Sequence, residues 1–174
     1  ATASDSNVGI GRDALAGALN GANENVAVGR DALLSVTTAD SNVAIGADAL
    51  EYDVDGNNNV AVGRQAGRQD TGSNNITQPA NCVYIGRDCR GHDTTPVNQI
   101  VIGYEADGQG DNMATIGNEN ITRVYMAHDG AAVIYANGTI NTSDARFKKN
   151  VEDTDLGLSF INKIRPVNCF KRFR

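Results

Sequence analysis

The stretch Asn42-Val43-Ala44-Ile45-Gly46-Ala47-Asp48-Ala49-Leu50 decides the fold, because the chain repeats it. Its first five residues recur as Asn7-Val8-Gly9-Ile10-Gly11, Asn25-Val26-Ala27-Val28-Gly29 and Asn59-Val60-Ala61-Val62-Gly63. Looser copies follow at Cys82-Val83-Tyr84-Ile85-Gly86, Gln99-Ile100-Val101-Ile102-Gly103 and Asn112-Met113-Ala114-Thr115-Ile116-Gly117. The closing glycines fall at 11, 29, 46, 63, 86, 103 and 117, spaced by 18, 17, 17, 23, 17 and 14 residues. β-Branched residues at alternate positions predict a strand, since strand side chains alternate between faces. The glycine after them admits a backbone turn that other residues resist. The segments Arg12–Leu19 and Arg30–Leu34 contain helix formers, but they are too short and too often cut by glycine or asparagine to hold a helix. A strand triplet cannot bury itself alone, whereas stacked coils can. The expected fold is therefore all-β: a parallel β-roll or solenoid of about 17 residues per coil with a thin aliphatic core.

Two departures qualify the pattern. The residues between the β-branched ones are small, at Gly9, Ala27, Ala44 and Ala61. A regular face of small residues lets another surface approach closely, and it is read here as a face for tight oligomer packing. The 23-residue spacing around Asp70–Cys82 is expected to hold a surface loop.

Residues 42–50 resemble the head repeat of trimeric adhesins, whose unit reads NVAIGxxAL, at every defined position. The resemblance extends over about residues 7–118. It implies a left-handed parallel β-roll with three chains packed side by side. Bacterial adhesins and phage fibres share the unit, so the resemblance speaks to architecture more than to function.

The overall charge of −6 hides a boundary. Residues 1–142 carry 7 basic and 17 acidic side chains, a net of −10; residues 143–174 carry 8 and 4, a net of +4. All four lysines and all four phenylalanines lie after residue 146, and eighteen of the 19 glycines lie before residue 143. An acidic roll without a basic stripe argues against nucleic acid as a partner. No stretch approaches the length of a membrane span and no signal peptide opens the chain, so no membrane insertion is expected. The chain opens inside a repeat, which predicts that it is a piece of a longer protein. Its three cysteines fit neither a disulfide framework nor a zinc module, and no cofactor or metal is expected.

Residues 119–142 lose the repeat. Val124–Ala127 and Ala132–Ala136 read as strands around Asp129-Gly130, and Asn137-Gly138 marks another turn before Thr139–Thr142. The segment is read as a β-neck.

The last 32 residues read SDARFKKNVEDTDLGLSFINKIRPVNCFKRFR. Ser143 or Asp144 suits a helix cap, and Asp155 a second, with Leu158, Ile161 and Ile164 on one face and Pro166 ending it. This α-containing segment resembles the start of the C-terminal intramolecular chaperone of phage tailspikes and tail fibres. Ser143, Asp144, Arg146 and Lys148 match its SDxRxK opening, and Ile164-Arg165-Pro166-Val167 matches the end of its helix. The family's domain is longer, so the chaperone is expected to be truncated here. The resemblance implies that three such segments drive trimerisation and are then released by self-cleavage. It assigns the cut to a serine–lysine dyad, Ser143 and Lys148. A serine hydroxyl needs a base to become a nucleophile. A lysine serves as that base when burial or a neighbouring cation, here Lys149 or Arg146, lowers its pKa. Ser143 would attack the Thr142 carbonyl, between Thr142 and Asp144 in the chain. That is one turnover per chain, and truncation predicts inactivity.

Other candidates are weaker. Asp53–Asn59 has a superficial likeness to a calcium loop but lacks its terminal glutamate, so it reads as a turn between coils. His92-Asp93 and His128-Asp129 have no serine to serve. Cys82 and Cys89 read as buried free thiols. Glycosylation sequons stand at Asn75, Asn120, Asn137 and Asn141. No carboxylate pair reads as a glycosidase site, although an active site upstream or between chains stays open.

The expected function is the distal, receptor-binding part of a trimeric phage tail fibre or tailspike in the virion. Its partners would be two further copies, other tail proteins, and a glycan or protein of the host surface. The chaperone segment would act in the host cytoplasm. The alternative is the head of a bacterial trimeric autotransporter adhesin, which leaves the SDARFKKN motif unexplained. A further possibility makes self-cleavage the main activity, in a non-viral protein that borrows the chaperone.

Overall fold

The computed structural model describes residues 3–126. Seven three-residue strands follow one another: β1 Val8–Ile10, β2 Val26–Val28, β3 Val43–Ile45, β4 Val60–Val62, β5 Val83–Ile85, β6 Ile100–Ile102 and β7 Ala114–Ile116. They form one parallel sheet in chain order. Each repeat pairs with the next in exact register, for example Val43 with Val60, Ala44 with Ala61 and Ile45 with Val62. The molecule is a parallel β-solenoid of about six turns, with no helix among the described residues.

The turn after each strand shows why the "RDAL" segments do not form helices. Asp31, Leu33, Asp48 and Leu50 all have left-handed φ angles, of 56°, 48°, 61° and 47°. Every second residue therefore interrupts the right-handed run that a helix requires. A left-handed leucine costs about 1–2 kcal/mol. Stacking compensates, because the Leu33 and Leu50 N–H groups donate to the carbonyls of Ala49 and Ala66 in the next coil, each at 3.1 Å. The closing glycine has no substitute: Gly46 has φ 138°, and a Cβ there would sit 2.4 Å from the Gly63 carbonyl oxygen.

The structure reverses the expected orientation of the strand faces. Ala27, Ala44 and Ala61 are wholly buried and point into the roll, while the flanking valines and isoleucines point outward. The small residues are thus not an oligomer face. The roll interior is too narrow for two rows of branched side chains, because Leu33 and Leu50 enter it from the opposite turn and take up the space.

The wide coil follows from the same limit on space. Tyr84 occupies the position of the inward alanines, and its ring fills the room that a leucine fills in earlier coils. The leucine position of that coil is Gly67, where a Cβ would lie 2.7 Å from Tyr84 Cδ2 and 2.9 Å from Leu50 Cδ2. The inserted segment does reach the surface, with residues 71–75 exposed, but Ile76 and Pro79 tuck back into the interior. At the other end, Val124–Met126 are exposed and not in a strand. The rest of the expected neck lies outside the described residues.

Candidate interaction surface

The most distinctive surface is the outer face of the sheet. Its two columns are Val8, Val26, Val43, Val60, Val83, Ile100, Ala114 and Ile10, Val28, Ile45, Val62, Ile85, Ile102, Ile116. None of these side chains is polar. At the ends Ile10 is 59% and Ile116 is 54% exposed, and in the middle Ile45 is 41% exposed. At the usual strand separation the face is about 29 Å long. Strands of a parallel sheet are apolar on both sides when both sides are covered. Here the roll covers one side and leaves the other open. The sequence carried a signal for this: the alternating positions are all apolar in almost every copy, so neither strand face is built for water.

A buried ladder runs beside this face, at the residue before each strand. Asn25, Asn42 and Asn59 are fully buried and stack one above another. The Asn42 backbone N–H and Nδ2 both donate to Asn25 Oδ1, at 3.0 and 3.1 Å, and Nδ2 also donates to the Gly56 carbonyl at 2.8 Å. Asn59 repeats this on Asn42 Oδ1 and the Pro79 carbonyl. Every polar atom of the amide is thereby used, which a buried side chain requires. The ladder stops at Cys82, whose backbone N–H donates to Asn59 Oδ1 at 2.9 Å while its thiol donates to the Pro96 carbonyl at 3.3 Å. Cys82 and Cys89 are buried free thiols, as expected. Burial raises both thiols, Cys89 to about 11, which keeps the nucleophilic thiolate scarce.

Beside the apolar face runs a charged rim. Arg30 reaches Asp31 at 2.5 Å and Asp48 at 2.7 Å, and Arg64 and Arg87 both reach Asp88, at 3.1 and 2.7 Å. Exposed pairs like these contribute at most about 1 kcal/mol each. Arg30–Asp48 and Arg64–Asp88 join successive coils, Arg30–Asp31 and Arg87–Asp88 join adjacent residues, and together they bring both signs of charge to the edge. Two polar clefts open farther round the coil. One, of about 210 Å³, is lined by Gln65, Arg68, Gln69, Asp88, Arg90 and Glu105. Its arginines are engaged: Arg68 pairs with Glu51 and lies 5.0 Å over the Tyr52 ring, and Arg90 pairs with Asp107 at 2.8 Å. The other, of about 500 Å³, includes Asp107, Gln109, Asn118, Glu119 and Asn120. The first cleft balances two arginines against two carboxylates, whereas the second sets Arg90 against Glu105, Asp107 and Glu119 and is acidic.

The remaining sequence candidates fall as follows. Asp53–Asn59 forms the turn between β3 and β4. His92 contacts Asp93 at 3.2 Å and the buried Gln99 at 2.6 Å, in a polar cluster without a serine nucleophile. Asn75 and Asn120 are exposed. Ser143, Lys148, Thr142 and Asp144, together with the rest of the chaperone-like segment, lie outside the described residues. Compared with protein families, curated proteins and solved structures, the chain matches none.

Proposed function

We propose that this chain is a structural and receptor-binding segment of a trimeric phage tail fibre or tailspike. The observation that carries the reading is the sheet face of two unbroken aliphatic columns, which a second and third copy would cover. An association of three rolls side by side would bury that face on every chain. The engaged Arg–Asp rim and the polar clefts would stay outside. The first cleft carries amides and balanced charges, which suit a neutral host-surface glycan. The SDARFKKN motif supports a fibre over a bacterial autotransporter head, because it adds a chaperone-type junction that a head repeat alone lacks.

The junction is tested by expressing the gene with its whole C-terminal region, as wild type and as Ser143→Ala, and comparing intact masses and oligomeric state. The proposal predicts a wild-type trimer cut beside Ser143 and an uncut variant. A wild type that stays full length refutes the cleavage, and a monomer refutes the fibre.

A further inference from the structure

The turn between β3 and β4 contains a buried acid that the proposed function does not use. Asp53 is fully buried, and its Oδ1 accepts the Gly56 N–H at 2.7 Å. Its Oδ2 is buried with no hydrogen-bond partner, and so is Oδ1 of Asp55, two residues on. The other Asp55 oxygen accepts from Gln78 Nε2 at 3.0 Å. Among the described residues no cation acts on Asp53; the one charge that bears on it is that of Asp55. On the coil above, residues 36–40 bring Asp40, whose Oδ1 already accepts the Asn23 N–H. On the coil below, residues 77–80 are Thr77, Gln78, Pro79 and Ala80, none of them ionisable. On its own coil, Glu51 is paired with Arg68.

A carboxylate placed there would be an uncompensated buried anion beside a second one, which is costly. A proton on Oδ2 removes the charge and leaves Oδ1 free to hold Gly56. Gly56 couples the acid to the rest of the roll. Its N–H binds Asp53, its carbonyl accepts from Asn42 in the buried ladder, and a Cβ there would lie 2.4 Å from the Pro79 carbonyl oxygen of the next coil.

We propose that the β3–β4 turn is a pH-sensitive catch, closed while Asp53 is a neutral carboxyl and loosened when Asp53 gives its Oδ2 proton to solvent beside Asp55. Burial, opposed by the Gly56 hydrogen bond and reinforced by Asp55, raises the Asp53 pKa from 3.8 to about 7. An acid raised on folding contributes stability that is complete below its unfolded pKa and lost as pH rises through the folded one. The catch therefore holds in mild acid and weakens across neutrality.

The test compares the full chain with its Asp53→Asn variant, in thermal unfolding and in exchange of the Gly56 amide, at about pH 5 and about pH 8. Asparagine keeps the Oδ1 acceptor and cannot ionise. The wild type is expected to lose several degrees of Tm and at least tenfold of intrinsic-rate-corrected Gly56 protection on going to pH 8, and the variant to lose neither. An equal pH dependence in both proteins overturns the proposal. If the variant does not fold, unchanged wild-type Gly56 protection between the two pH values overturns it equally. Millimolar calcium that raises the wild-type Tm at pH 8 would also overturn it, since the turn would then be a cation site.

Discussion

At the residue scale, single side chains carry the architecture because each coil copies them. Asn42 is the clearest case. Replacing it with leucine keeps its volume but removes the Oδ1 that accepts two N–H groups of Asn59 and the Nδ2 that serves Gly56. Each orphaned buried group costs about 1–3 kcal/mol. Asn42→Leu is therefore expected to lower the unfolding free energy by about 2–5 kcal/mol, read from urea denaturation. A loss no larger than that of an exposed asparagine substitution would show that the ladder is not a stabilising device. The role of the asparagines was not legible from their position before the strand. Their ladder exists only once coils stack in register, so it is a property of neighbours some 17 residues away.

At the element scale, strand position and coil length were readable from the repeat, while the direction of the strand faces was not. Val26, Ala27 and Val28 alternate by themselves, but which set points inward depends on the leucines that arrive from the far turn. Tyr84 and Gly67 show the same dependence as an exchange of bulk between two positions. Tyr84→Ala is expected to cost about 3–5 kcal/mol by opening a cavity in the widest coil. Adding Gly67→Leu to that variant should recover a substantial part of the loss. The backbone at Gly67 has φ 63°, the left-handed hand that Leu33 and Leu50 already adopt. Gly67→Leu alone should destabilise, because its Cβ meets the tyrosine ring. Chemical denaturation of the three variants as a double-mutant cycle reads the coupling; simple additivity would contradict the exchange. The surface loop was legible from the 23-residue spacing, which departs from the repeat. The return of Ile76 and Pro79 to the interior was not, because it serves the extra space around Tyr84.

At the scale of the whole molecule, the solenoid is a stiff ladder of short strands with one side finished and one side open. The interior is closed by alanines, Leu33, Leu50, Tyr84, Val36, Ile76, Val101 and the two thiols Cys82 and Cys89. Arg30–Asp48 and Arg64–Asp88 pair the charged rim coil to coil, and of the two polar clefts one is balanced and one acidic. Only the outer sheet face combines length with a complete lack of polar side chains among the described residues. The sequence pointed to oligomer packing for a reason the structure does not support, the small-residue face. The aliphatic columns give it a firmer physical basis. The most direct test is the native mass of the chain and of its Ile45→Glu, Val62→Glu variant, measured by sedimentation at micromolar concentration. These two residues neighbour each other in register at the middle of the face, and both point outward. The account predicts a wild-type particle of three 18.3 kDa chains and a folded, monomeric variant. A wild type that sediments as a single chain, or a variant that stays trimeric, would contradict it.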